Sequence, residues 1–154
     1  MRRYLIVANQ TLAADELSKA VADRLAAGPA EFWVLVPATQ MTDLASPAIL
    51  PGMGGVPVPV PASVEESENL ARSRLEAALE RLRSAGVTVD GEVGDPDPFQ
   101  AIEHTLATRQ FDEIVVSTLP ARLSRWLHQD LPSRVERKFH VPVTHVGAAH
   151  VPSG

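Results

Sequence analysis

Short apolar runs alternate with amphipathic stretches along this 154-residue chain, and that alternation limits the fold more than any other feature. The runs at residues 4–8, 31–36 and 113–117 are nearly continuous, which is typical of strands buried on both faces of a parallel sheet. Residues 87–93 alternate apolar with polar, which indicates a strand nearer an edge. The segment 142–146 is predicted to be the last strand.

Residues at helical spacing fill the gaps between these runs. Leu17, Val21 and Leu25 predict an inward-facing helix stripe, and we expect the Thr11 hydroxyl to cap that helix. Asp95, which precedes a proline, is predicted to cap a later helix in the same way. Further helices are predicted before Gly86, after the turn at 94–98, and near 132–139.

The order of these elements predicts one α/β domain over residues 1–147, a three-layer sandwich around a five-stranded parallel sheet. Residues 37–62 hold six prolines and three glycines, so we expect a long loop there. Within it, residues 56–61 favour a stiff polyproline II conformation. The tail at 148–154 is expected to fray.

Ligands of such sheets bind outside the carboxyl ends of the strands, where the strand order reverses. Site candidates therefore come from residues 9–11, from 37 onward, from 94–97 and from 117–130. The sequence therefore predicts that any ligand site lies at one edge of the sheet, where the strands end.

Composition excludes several classes of function. The net charge is −5 and the basic residues are scattered, which argues against nucleic acid and against an anionic membrane surface as partners. There are no cysteines, so disulfides and thiolate chemistry are excluded. The apolar run at 5–8 is too short for a signal peptide. We therefore expect a cytoplasmic protein.

Several short motifs occur along the chain in a recognisable order and at a recognisable spacing. They are Val7-Ala8-Asn9-Gln10-Thr11, Gly94-Asp95-Pro96, Phe111-Asp112-Glu113-Ile114-Val115-Val116-Ser117 and Val141-Pro142-Val143. Together they resemble the universal stress protein family over nearly the whole chain. That resemblance implies a fold similar to the HUP-type adenine-nucleotide hydrolases, with strand order 3-2-1-4-5. It also places the last strand at an exposed edge, so we expect a homodimer through that strand.

Family members that bind ATP carry G-x2-G-x9-G-(S/T) after the fourth strand. On this chain the three glycine positions fall at Ser117, Pro120 and Asp130, and Leu131 takes the hydroxyl position. Proline has no amide to donate, and a carboxylate at the phosphate position repels phosphate. Asn9 also replaces the family's aspartate. The resemblance therefore implies no cofactor, with ATP or another nucleotide disfavoured.

A ligand pocket remains an alternative. Arg122 and Arg125 could contact an anion, or they could be solvated surface residues. Trp126 could stack on a base, although a core position is favoured. The candidate pocket residues are Asn9, Thr11, Pro37, Ser117, Thr118, Arg122, Ser124 and Arg125.

Catalytic chemistry has little support in the sequence. The five histidines show no metal-ligand spacing on one predicted element, and His145 is expected to be a satisfied core or interface residue. Asp95 and Asp97 could pair as acid and base or hold Mg²⁺, but a capping role is favoured. Nucleophile-elbow and zinc-protease motifs are absent from the sequence. We expect no enzyme, and two hypotheses stay open: a dimeric stress-response module without a ligand, or a sensor of a small anionic ligand.

Overall fold

The structure, a computed structural model, describes residues 1–9, 11–12, 14–38, 48–49, 57–58, 64–118, 125–128 and 130–147. Strands and helices alternate through most of it, as the apolar runs predict. The elements are β1 (Arg2–Val7), α1 (Asp15–Ala27), β2 (Ala30–Pro37), β3 (Ala48–Ile49), β4 (Pro57–Val58), α2 (Val64–Ser84), β5 (Thr88–Gly94), α3 (Pro98–Thr108), β6 (Glu113–Thr118), α4 (Arg125–His128), α5 (Leu131–Phe139) and β7 (Val143–Gly147).

Five strands form one parallel sheet in the order β5-β2-β1-β6-β7. When only these five strands are numbered along the chain, the order is 3-2-1-4-5, so the predicted strand order is confirmed. β1 lies at the centre, where Ile6 is the register partner of both Val34 and Val115. The predicted edge positions of β5 and β7 are also confirmed.

Two hydrophobic layers lie on opposite faces of the sheet because successive side chains of a strand point to opposite sides. Tyr4 and Ile6 of β1 belong to the first layer, with α1 and α2, and Leu5 and Val7 belong to the second, with α3, α4 and α5. Trp126 is 3% exposed in the second layer, which confirms its predicted core position. The three-layer prediction is therefore confirmed.

Gly91 marks a close approach between two strands. A Cβ atom at this position would lie 2.3 Å from the carbonyl oxygen of Val34 and 2.9 Å from Leu75 Cδ1. The first of these atoms belongs to the backbone of β2, so it cannot move aside cheaply. Glycine is therefore required where β5 packs against β2.

The predicted helix starts need correction. Thr11 does not cap α1, because the N-cap residue is Ala14, which makes no side-chain capping bond. Asp97, not Asp95, caps α3 by accepting from the backbone amide of Phe99. Asp95 instead accepts from the amide of Asp97 and closes the preceding turn. In both cases the N-cap residue lies two or three positions after the residue that the sequence predicted.

Leu25 was also misplaced by the sequence pattern. Its side chain is 37% exposed near the end of α1, whereas Leu17 and Val21 are buried. The apolar stripe therefore stops before the last turn of the helix.

Within the proline-rich segment at 37–62, four residues beyond Ala38 are described. Ala48–Ile49 and Pro57–Val58 pair as a two-stranded antiparallel sheet, so residues 57–58 of the predicted polyproline II stretch are extended but hydrogen-bonded. The rest of this stretch, the glycines at 52–55 and the tail at 148–154 lie outside the described residues.

An ion pair joins α1 to the sheet. Arg24 Nε and Nη2 donate to the two carboxylate oxygens of Glu113 at 2.9 and 2.8 Å, and the hydroxyl of Thr144 donates to the same carboxylate. Burial alone raises the pKa of Glu113, but hydrogen bonds from Arg24 and Thr144, with the charges of Arg24 and Arg2, lower that pKa below its ordinary value. The pair therefore connects α1, β6 and the edge strand β7.

Candidate functional site

The carboxyl ends of β1, β2 and β6 meet at one edge of the sheet, and five of the predicted site residues lie there. Asn9 and Thr11 follow β1, Pro37 ends β2, and Ser117 and Thr118 end β6. All five are buried, with exposed fractions of 7% for Asn9 and 0–1% for Thr11, Ser117 and Thr118. The sequence therefore placed polar groups correctly at the edge where parallel sheets bind ligands.

The Asn9 amide connects two other elements. Its Nδ2 donates to the carbonyl oxygen of Pro37 at 2.8 Å, and its Oδ1 accepts from Nη1 of Arg74 on α2 at 2.5 Å. Both polar atoms of this buried side chain are thus satisfied, which is what a buried amide requires. Asn9 holds the guanidinium of Arg74 at the edge of the sheet.

Arg74 was not predicted as a site residue. It is half-buried, and burial lowers the pKa of its guanidinium below the ordinary value. The signal in the sequence is its position in α2. It lies on the helix face that buries Ser67, Ala71 and Ala78, where a charged residue is unusual.

A pair of hydroxyls ties the loop after β1 to the end of β6. The Oγ atoms of Thr11 and Ser117 are 2.7 Å apart, so each hydroxyl has the other as its partner. Among the described residues, no histidine or carboxylate bonds either of them to make an activated nucleophile. The pair therefore links the two loops beneath the carboxyl edge of the sheet.

Thr118 contacts the edge strand. Its hydroxyl lies 2.7 Å from Nε2 of His145, and burial lowers the pKa of His145 below its ordinary value. The His145 side chain is nevertheless exposed at the surface of the chain. Of the two expected roles, core or interface, the core role is wrong, whereas the expected hydrogen-bond partner is present and the interface role stays a prediction.

Several candidate residues come from the loop after β6. Arg122 and Ser124 lie outside the described residues, as does the side chain of Arg125, whose backbone begins α4. Asp130 is exposed and precedes α5 with a left-handed φ of 56°. Leu131 follows and is fully buried, so a core side chain occupies the position of the family's hydroxyl.

The site offers amide, hydroxyl and guanidinium groups, which suit hydrogen bonding to an anion. Within the described part of the chain, no three histidine, aspartate or glutamate side chains cluster as metal ligands would. None of the described helices combines the length and apolar character needed to cross a membrane.

A separate groove of about 350 Å³ lies at the opposite edge of the sheet, where the strands begin. The Arg109 guanidinium stacks there on the ring of Trp33, 3.5 Å from its centroid, and Arg3 forms an ion pair with Glu31. This groove is separated from Asn9 by the length of the strands and is not part of the candidate site.

Two solved structures share this fold over nearly their whole length. A universal stress protein family protein from Arabidopsis thaliana with AMP bound matches with a TM-score of 0.57 and 16% identity, covering 96% of this chain and 92% of that one. A universal stress protein in complex with cAMP matches with a TM-score of 0.55 and 17% identity, covering 98% of each chain. No family model and no curated protein matches the sequence. The resemblance to universal stress proteins is thus confirmed for the fold, a five-stranded parallel sheet between two layers of helices.

Proposed function

We propose that this chain is a cytoplasmic regulatory module of the universal-stress-protein type that acts through binding rather than catalysis. The observation that carries this proposal is the shared fold along almost the full length of two universal stress proteins. The groups at the carboxyl edge agree with it, because they are hydrogen-bonding partners and not an acid, base and nucleophile set.

An ATP hydrolysis assay tests the absence of catalysis. We expect turnover no faster than in buffer, both for the wild-type chain and for Thr11→Val. ATP turnover that Thr11→Val abolishes would show that the hydroxyl pair is catalytic and that the proposal is wrong.

The module is proposed to bind ATP weakly. Asp130 puts a carboxylate, and Pro120 a residue without an amide, at two of the glycine positions of the family motif. Each lost charge-assisted contact weakens binding by about tenfold to a hundredfold. Titration calorimetry with MgATP is expected to give a dissociation constant near the millimolar range.

Asp130→Gly provides a matched test, because it removes the charge and suits the left-handed backbone at this position. We expect this variant to bind ATP more tightly than the wild type. Low-micromolar binding by the wild-type chain would contradict the proposal.

The module is also proposed to dimerise through β7. This strand lies at an edge of the sheet, and an exposed edge favours pairing with a second chain. Light scattering at micromolar concentration is expected to report a dimer. His145→Glu should weaken it, because two like charges would meet near the two-fold axis, whereas His104→Glu on the surface of α3 should not. A monomeric wild type would exclude this interface.

A second function is favoured by one observation at the site. The matched structures hold AMP and cAMP, and here Asn9 holds the cationic Arg74 at the carboxyl edge of the sheet. The alternative is a sensor that binds a nucleotide or another anion in a remodelled pocket. Mass spectrometry of small molecules released from the heat-denatured protein tests it, since a stoichiometric anion would favour the sensor over the ligand-free module.

A further inference from the structure

Arg74 carries a positive charge without a counter-ion in the described part of the chain. Its guanidinium is half-buried, and its hydrogen bond goes to the neutral amide of Asn9. None of the described aspartate or glutamate side chains lies within ion-pair distance of it. This differs from Arg24, which forms a bidentate pair with Glu113.

Such an arrangement is unfavourable in the free protein. Removing a cation from water costs free energy unless an anion replaces the lost hydration. Burial lowers the pKa of Arg74, but an arginine stays protonated at neutral pH. The charge therefore persists and needs compensation from outside the described residues.

A second polar group on the same helix also lacks a partner. Ser67 is 6% exposed, and its buried Oγ has no hydrogen-bond partner among the described residues. Seven residues separate Ser67 from Arg74, which places both on one face of α2. Helical side chains lean toward the N-terminus, so Arg74 leans toward the end of α2 that carries Ser67, two turns earlier.

We propose that Arg74 and Ser67 bind the oxyanion of a small ligand at the carboxyl edge, and that this ligand supplies the missing counter-ion. The inference rests on the proposed sensor function, and it assigns the ligand class as a small molecule bearing a phosphate or a carboxylate. The guanidinium donates in-plane hydrogen bonds to the oxyanion, and the Ser67 hydroxyl donates another.

Asn9 explains why the charge stays available to a ligand. An amide holds the guanidinium in place by a hydrogen bond without neutralising it. A carboxylate at position 9 would form an internal ion pair with Arg74 and would remove the need for a ligand. Ligand binding is therefore coupled to stability, because the anion stabilises a native state that contains an unbalanced charge.

Three variants test this inference by thermal unfolding and titration calorimetry. Arg74→Gln removes the charge but keeps a donor for Asn9, and Asn9→Asp supplies the anion internally. Arg72→Gln is the matched control, because Arg72 is an exposed arginine on the same helix. The probes are inorganic phosphate, AMP and acetate, with adenosine as the uncharged comparison.

We expect phosphate, AMP or acetate to raise the unfolding temperature of the wild type and of Arg72→Gln. Arg74→Gln and Asn9→Asp should both unfold at or above the wild-type temperature without ligand, and should bind the oxyanion at least tenfold more weakly. Stabilisation by phosphate and AMP alone identifies a phosphorylated ligand, and stabilisation by acetate alone identifies a carboxylate. Either result supports the oxyanion site.

Two results would overturn the inference. One is an Arg74→Gln variant that unfolds at a lower temperature than wild type and binds the anion equally well. The other is a wild-type chain that no oxyanion stabilises. If adenosine still binds in that case, the edge of the sheet is a ligand site and the proposed sensor function stands without a role for Arg74.

Discussion

The Arg24–Glu113 pair should contribute measurably to stability, because it is bidentate and mostly shielded from water. The two side chains are 16% and 20% exposed. Breaking a fully buried pair costs about 3–5 kcal/mol, whereas exposed pairs contribute about 0–1 kcal/mol. The exposures place this pair between those limits, so we expect a coupling free energy of about 2 kcal/mol.

A double-mutant cycle with Arg24→Met, Glu113→Gln and the double variant isolates that coupling. The glutamine keeps an oxygen that can accept from Thr144, so the cycle removes mainly the charge pair. Urea unfolding followed by far-UV circular dichroism gives the free energies of unfolding. For a chain of this length, a loss of about 2 kcal/mol in the free energy of unfolding corresponds to a fall of about 4–8 °C in Tm. We expect a fall of this size for the less destabilised of the two single variants.

The Arg83–Asp90 pair provides the matched control. It is monodentate at 3.3 Å, and its side chains are 53% and 66% exposed. The same cycle with Arg83→Met and Asp90→Asn should give less than about 0.5 kcal/mol. Equal couplings for the two pairs would refute the argument that burial and bidentate geometry decide the strength.

Three further outcomes are expected. Because the pKa of Glu113 is lowered in the native state, its contribution to stability is complete above its unfolded pKa of about 4.3 and is lost as the pH falls through the native value; acid titration of unfolding should be shallower for Glu113→Gln, and an unchanged slope would contradict this. Gly91→Ala should lower the free energy of unfolding by about 3 kcal/mol or more, because the new Cβ would overlap the Val34 carbonyl oxygen; a loss below about 1 kcal/mol in urea would contradict the close approach. Asp97→Ala should cost about 1 kcal/mol through the lost α3 cap, whereas Asp95→Ala should cost less in the same assay, and the reverse order would contradict the assignment of the cap.

The sheet could be predicted because its three inner strands are short and apolar on both faces. In a domain of this size, a nearly continuous apolar run is accommodated as a buried strand inside the sheet. This applies to residues 4–8, 31–36 and 113–117. The helix caps could not be read so well. Several acidic or hydroxyl residues near each helix start could act as the N-cap, and tertiary contacts determine which of them does. Thr11 bonds Ser117 across the sheet and leaves α1 to begin at Asp15.

The candidate site was predictable only where it depends on the sheet. Asn9, Pro37 and Ser117 come together because parallel strands end at one edge, which is a property of topology. Arg74 arrives from a helix 65 residues further along the chain, and α2 also carries Arg72 on its surface. Helical spacing distinguishes Arg74 from Arg72, but only the fold shows that Arg74 meets Asn9.

The division of the core into two layers determines what optical probes can report. Both tryptophans of the chain, Trp33 and Trp126, pack in the layer with α3, α4 and α5, whereas the single tyrosine, Tyr4, packs in the layer with α1 and α2. Tryptophan emission therefore reports the packing of one face of the sheet, and selectively observed tyrosine signals report the other. Loosening of the α1–α2 layer alone would leave tryptophan fluorescence nearly unchanged, so an unfolding transition seen only with Tyr4 would identify the face that opens first.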